Sequence, residues 1–137
     1  MASISVTRAS IRPLSGAIVR RFDTGATVSV GNLVYLVSDG DVENCISDSA
    51  TDFIKAWCRG IVVACPEGAT SIGSGHAVDV VVYGPVEGST GATPGTLFYA
   101  NDTAGALDTA AGTVTAIGGF MESATIAFVR PQLVTMA

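Results

Sequence analysis

Ser74, His76 and Asp79 lie close together in the chain, and His76 is its single histidine. A hydroxyl, an imidazole and a carboxylate make a nucleophilic relay only when the fold brings them within hydrogen-bond reach. Neighbours on one extended segment point in alternating directions, so this spacing argues against a relay. Gly68, Gly73, Ser74 and Gly75 match a phosphate loop at the glycines alone; the lysine that would reach phosphates and the helix that would follow are missing. Asp39, Asp41 and Glu43 alternate like the opening of a calcium loop, yet no Glu closes it at the required distance. Cys45, Cys58 and Cys65 are odd in number and contain no C-x-x-C pair, which reads as free thiols in a reducing compartment. The residues therefore point to no catalytic, metal-binding or cofactor-binding set, and the chain reads as a non-enzyme whose function lies in its surfaces.

Composition points the same way. Charged residues make up 14% of the 137 residues, against about 25% in ordinary globular domains. Mean hydropathy is +0.49. So few charges cannot cover the surface of a single domain, so an apolar or Thr-rich face is expected to be buried between copies or in a lattice. A trimer is the expected state, with a dimer as second choice. No apolar run approaches the roughly 18 residues of a membrane span, and no contiguous apolar signal core opens the chain. The net charge of −5 opposes phosphate binding by the body, so no nucleic-acid partner is expected.

The elements that must position any site read as β throughout. Val, Ile, Thr and Tyr dominate short runs, and glycine-rich turns interrupt them. Strands are expected near Ala17–Phe22, Thr27–Val30, Leu33–Ser38, Val42–Ile46, Ile54–Ala64, Ala77–Tyr83, Leu97–Ala100, Thr113–Met121 and Thr125–Val129, with one helical turn within Ser47–Phe53. Asp39-Gly40 between aliphatic runs predicts a type I′ hairpin turn. The stretch GNLVYLVSDGDV from Gly31 recurs as GTLFYANDTAGAL from Gly95: each runs Gly-x-Leu-x-Tyr, then a polar turn ending in Gly, then an aliphatic restart. Gly31, Tyr35 and Gly40 thus correspond to Gly95, Tyr99 and Gly105. Each copy is followed by an aliphatic segment broken by glycine, WCRGIVVA and TAIGGFMESA, so the chain reads as two similar β units.

Charge is unevenly placed. Arg8, Arg12, Arg20 and Arg21 precede the first acidic residue, Asp23, so residues 1–21 are basic and residues 22–137, the single β domain, are acidic. Pro13 interrupts any element begun before it. An extended N-terminal arm lying along a neighbouring subunit is therefore expected, with Ile4, Val6 and Ile11 buried there, Arg8 and Arg12 facing carboxylates, and Arg20 and Arg21 also in contact with the capsid or a subunit.

Gly31–Tyr35, Asp39-Gly40 and Gly60-Ile61, then Pro94–Tyr99, Thr103–Gly105, Ile117–Phe120 and Ile126–Pro131, together carry a resemblance. From Gly16 to Pro131 the chain resembles the small head decoration, or cement, proteins and capsid-fibre base domains of tailed bacteriophages. That resemblance implies an all-β sandwich or tulip-like barrel, assembled as trimers or dimers on an icosahedral shell. It implies the major capsid protein as partner, a place on the outer capsid surface of a virion assembled in the host cytoplasm, and no catalytic residues or cofactor. The expected role is to clamp adjacent capsid subunits; the alternative is a tail-tube or baseplate β protein.

Overall fold

A computed structural model describes residues 4–48, 51 and 53–133. The chain is all-β. The first strands are β1 (Ser5–Val6), β2 (Arg12–Pro13), β3 (Ile18–Asp23), β4 (Val28–Ser29), β5 (Leu33–Leu36), β6 (Val42–Asn44) and β7 (Gly60–Ala64). They are followed by β8 (Ser71–Ile72), β9 (Ala77–Glu87), β10 (Ser89–Thr90), β11 (Leu97–Ala100), β12 (Leu107–Asp108), β13 (Ala116–Met121) and β14 (Ile126–Leu133). The main sheet is a curled half-barrel of antiparallel strands in the order β12-β11-β13-β14-β9-β7-β5-β6, with β2 and β3 added along β9. Curling one sheet, rather than stacking two, supplies the enclosed core of valines, Leu33, Ile61, Phe98 and Met121.

That strand order is a palindrome of the two repeat units. In the first, β5 is flanked by its hairpin partner β6 and by β7, and β7 passes to β9. In the second, β11 is flanked by β12 and β13, and β13 passes to β14. The fourth strands then pair with each other, Glu87 opposite Ile126 and Gly84 opposite Val129. Tyr35 and Tyr99 hold corresponding positions, opposite Glu43 and Asp108 across their hairpins. Val34 and Phe98, one residue before each tyrosine, face Gly60 and Gly119. At both glycines a Cβ would run into the backbone carbonyl of the next strand, Val81 in one unit and Phe128 in the other. The repeat thus encodes two close strand approaches that only glycine permits.

The copies diverge at their turns. Gly40 stands clear of neighbours at φ 95°, whereas Gly105 presses against the Asn32 side chain. Asp39 keeps a negative φ, so the first turn is not type I′. Val37 N–H bonds to Asp41 O and Gly40 N–H to Val37 O, which makes a three-residue loop with glycine at the left-handed position. Gly105 instead ties the two ends of the curled sheet: Leu33 N–H donates to Gly105 O at 2.9 Å and Gly105 N–H to Cys45 O at 2.7 Å. Ser47 adds a buried tie, its hydroxyl donating to Val114 O at 2.6 Å and accepting from Val114 N–H at 2.9 Å.

Two further expectations need correction. The run Ile54–Ala64 is strand only from Gly60; its start is a 3-10 turn, Phe53–Ala56, lying later than the expected Ser47–Phe53, where residues 49, 50 and 52 are outside the described residues. The N-terminal segment is not a separate arm, and no boundary falls at Arg21. β1 pairs with β10, and β2 and β3 both line β9. Ile4 and Ile11 are buried in the chain's own core, and Val6 packs against it. Pro13 does not extend the segment away: after it Leu14–Ala17 bow out, with Leu14 N–H still bonded to Pro85 O, and the chain rejoins β9 at Ile18. Burying the isoleucines against their own sheet needs no partner. Residues 1–3 of the expected arm lie outside the described residues.

Candidate functional surfaces

The polar groups singled out in the sequence serve the fold locally. His76 is exposed at the mouth of β9, where its backbone N–H reaches Thr24 Oγ1 at 3.2 Å. Asp79 is engaged by Arg21 at 3.0 Å and Ser74 is exposed, so no Ser-His-Asp relay is assembled. The glycine loop is clasped by buried Thr24, whose hydroxyl donates to Gly73 O at 2.6 Å and whose carbonyl accepts from Gly75 N–H at 2.8 Å. Asp39 accepts from Asp41 N–H at 3.0 Å within its own turn. Among the described residues no group of three or more His, Cys, Asp or Glu could hold a metal ion. All three cysteines are buried and free. Burial, and then the hydrogen-bonded Cys58 thiol, push the Cys45 thiol well above its ordinary pKa; burial also raises Cys65. Neither is poised as a nucleophile at neutral pH.

The arginines expected to face a neighbour are mostly held within the chain. Arg8 donates to Val30 O at 2.6 Å and to Asn32 Oδ1 at 3.1 Å. Arg12 donates from Nε to Glu87 Oε1 at 2.8 Å beside a shallow hollow of about 550 Å³ that Thr7, Ser10 and Thr125 help to line. Arg21 takes Asp79. Arg20 is exposed on the outer strand β3, and among the described residues it forms no ion pair.

What the surface does present is apolar and gathered in two places. On one, Leu36 (38% exposed) and Ile54 (43%) flank Trp57, with the Arg59 guanidinium stacked 4.1 Å above the indole ring. Two adjoining hollows of about 310 and 370 Å³ share Leu36 and Arg59, and the second extends to Phe22, Val82 and Pro131. On the other, Leu97, Phe120, Phe128 and Pro85 stand directly opposite one another across four strands. Phe120 and Phe128 stack at 5.0 Å, and Tyr83 meets Phe128 edge-on at 5.2 Å. Tyr83 in turn stands opposite Ile18 on the open outer strand.

These surfaces were missed in the sequence, although a signal was there. Segments such as FIKAWCR and IAFVRP place apolar residues on both faces of a short element, and a sheet that covers one face leaves the other to solvent or a partner. Among the described residues no helix is long and apolar enough to cross a membrane. No protein-family model matches the chain, and no curated protein matches it either.

Proposed function

We propose that this chain is a structural virion protein that decorates the outer surface of a bacteriophage capsid and clamps adjacent major capsid protein subunits. The reading starts from the resemblance carried by the Gly-x-Leu-x-Tyr units, and one observation of the fold supports it best. The strongly exposed large apolar side chains among the described residues fall into two groups. Leu36 and Ile54 border the Trp57 groove; Ile18, Tyr83 and Leu97 belong to the aromatic file, with Val19 beside Ile18 at the same edge. A clamp needs one surface that takes the shell and another that couples it to a second chain, and this molecule presents two such surfaces on one sheet.

The Trp57 groove is the better candidate for the capsid contact. Trp and Arg are the residues most often found at the energetic centre of protein interfaces, and here they are already stacked, so little side-chain entropy remains to be lost on docking. Covering the exposed parts of Leu36, Ile54 and Trp57 would supply roughly 2–4 kcal/mol per site, since a full side-chain burial is worth about 1.5–3. Binding that favours the expanded shell stabilises it by mass action, about 2.7 kcal/mol per site at a hundredfold excess over Kd. Repeated over a lattice, modest contacts resist internal pressure without touching the packaged DNA.

Mixing the purified protein with empty expanded capsids and imaging the shells tests the reading. Ordered density on the shell is expected, and Ile54→Asp or Trp57→Ser should reduce occupancy at least tenfold at limiting protein while leaving the fold intact. Failure of the wild-type chain to bind shells, with labelling of tails instead, would replace this reading by a tail-tube or baseplate role.

A further inference from the structure

We infer that the aromatic file across β11, β13, β14 and β9 is a self-pairing face, on which two copies of this chain meet about a two-fold axis running along the file. The file is continuous in register: Leu97 opposite Phe120, Phe120 opposite Phe128, Phe128 opposite Pro85. Leu97 is 40% exposed, Tyr83 46% and Ile18 52%, so the stacked rings lie under a margin that water still reaches. The other unit supplies an internal comparison. Its corresponding file, Leu33 opposite Ile61 and Ile61 opposite Val81, is wholly buried. There Ile61 shares a small apolar void with Val6, Ile11, Leu107 and Ala127. In the second unit Phe98 takes the inward place, Leu97 is left exposed, and Phe120 and Phe128 are half-buried on the outer face.

The charges beside the file name its occupant. Glu122 lies two residues from Phe120 on one flank, and Arg130 lies two residues from Phe128 on the other; both are exposed, and among the described residues neither forms an ion pair. Antiparallel pairing of β13 with β14 puts them on opposite sides of the ring pair, because Phe120 faces Phe128 while the chain turns back between Met121 and Ile126. A two-fold axis along the file superposes rings on rings and exchanges the flanks. Arg130 of each copy then faces the acidic flank of the other, beside Glu122 and Glu87. An axis along the strands would set like charges together. An isologous pair is closed, so the open edge strand β3 need not seed a filament.

Sedimentation equilibrium on the full chain reads this directly. A reversible dimer with a Kd in the micromolar range is expected, as suits an interface at the small end of the specific class. Leu97→Asp should raise Kd at least tenfold with an unchanged urea midpoint. Each charge substitution occurs twice in an isologous pair, so Arg130→Glu and Glu122→Arg should each weaken it by on the order of tenfold. The double variant should return to within about threefold of the wild type, which a merely structural role for either residue would not produce. A monomer up to roughly 200 μM, well above the affinity of a specific interface, overturns the inference. So does a trimer, or a double variant no better than the singles. A monomer whose Leu97→Asp variant loses capsid binding would assign the face to the shell. The inference needs no capsid, so its failure and that of the decoration reading are separable.

Discussion

Replacing Gly60 or Gly119, both within strands, by alanine should damage this fold more than a glycine-to-alanine change in an open turn, and somewhat more at Gly119, whose φ of 155° also disfavours a side chain. At each site the added Cβ would fall on the carbonyl of the adjacent strand, Val81 O or Phe128 O, far inside contact distance. Backbone, unlike the end of a flexible side chain, cannot swing away. The two strands must therefore part locally. That would break about two ladder hydrogen bonds at about 1 kcal/mol each, with about 1–3 kcal/mol of packing strain added. We expect a loss of about 3–5 kcal/mol for either variant, a large part of the roughly 5–15 kcal/mol that holds a domain together.

Gly40→Ala is the control. Gly40 has φ 95° and nothing near its would-be Cβ, so only the cost of the left-handed conformation applies, about 1–2 kcal/mol. Urea titration followed by Trp57 fluorescence gives all three values on one scale. If Gly60→Ala or Gly119→Ala cost less than Gly40→Ala, the strands do not approach as described, and the argument that the repeat encodes two tight crossings is refuted.

Two further outcomes follow from burial. Deleting residues 1–12 removes Ile4 at 5% exposure and Ile11 at 9%, and should cost at least about 3 kcal/mol and lower the urea midpoint accordingly; a truncated protein with the full chain's urea midpoint would contradict this. The raised thiol pKa of Cys45 predicts that alkylation at pH 8 is slow in the native state and rapid in urea. The buried neutral form is the one the fold prefers, so stability is full below the ordinary thiol pKa of about 8.5 and falls as pH rises through it, by about 1.4 kcal/mol per pH unit for each such thiol. A flat urea midpoint from pH 8 to 10 would count against it.

Much of the architecture was legible because it rests on local chemistry. Leu97–Ala100 matches the expected strand to the residue, since an apolar, aromatic run between Gly95 and Asn101 has few alternatives. β9 was read too short because Gly84-Pro85 looks like a breaker; the strand runs through to Glu87 where Leu14–Ala17 bow away, and Gly84 at φ 114° accommodates Ala17. Of the six two-residue strands among the described residues, β4 falls within the expected Thr27–Val30, while β1, β2, β8, β10 and β12 are too short to leave a periodic signal. The N-terminal segment failed for another reason. Ile4, Val6 and Ile11 announce a need for burial, but spacing carries no address, and four arginines drew the reading outward. Arg12 and Arg21 found Glu87 and Asp79, far along the chain, through a register that only the assembled sheet defines.

The repeat also says where function should be sought. In a duplicated fold, positions that the architecture requires stay alike in both copies: Gly31 and Gly95, Tyr35 and Tyr99, Gly60 and Gly119. Positions released from that requirement can diverge. Ile61 and Val81 fill a closed core in one unit, and their counterparts Phe120 and Phe128 are aromatic and stand at the surface. Trp57 and Arg59 precede Gly60, whereas the second unit has Ile117 and Gly118 before Gly119. Large aromatics are costly to leave in water and are held there only where something covers them or the scaffold tolerates the cost. Each unit thus carries its own departure from the common plan, and each departure is an apolar surface. What recurs in this sequence builds the body, and what fails to recur is where a partner or a second copy would attach.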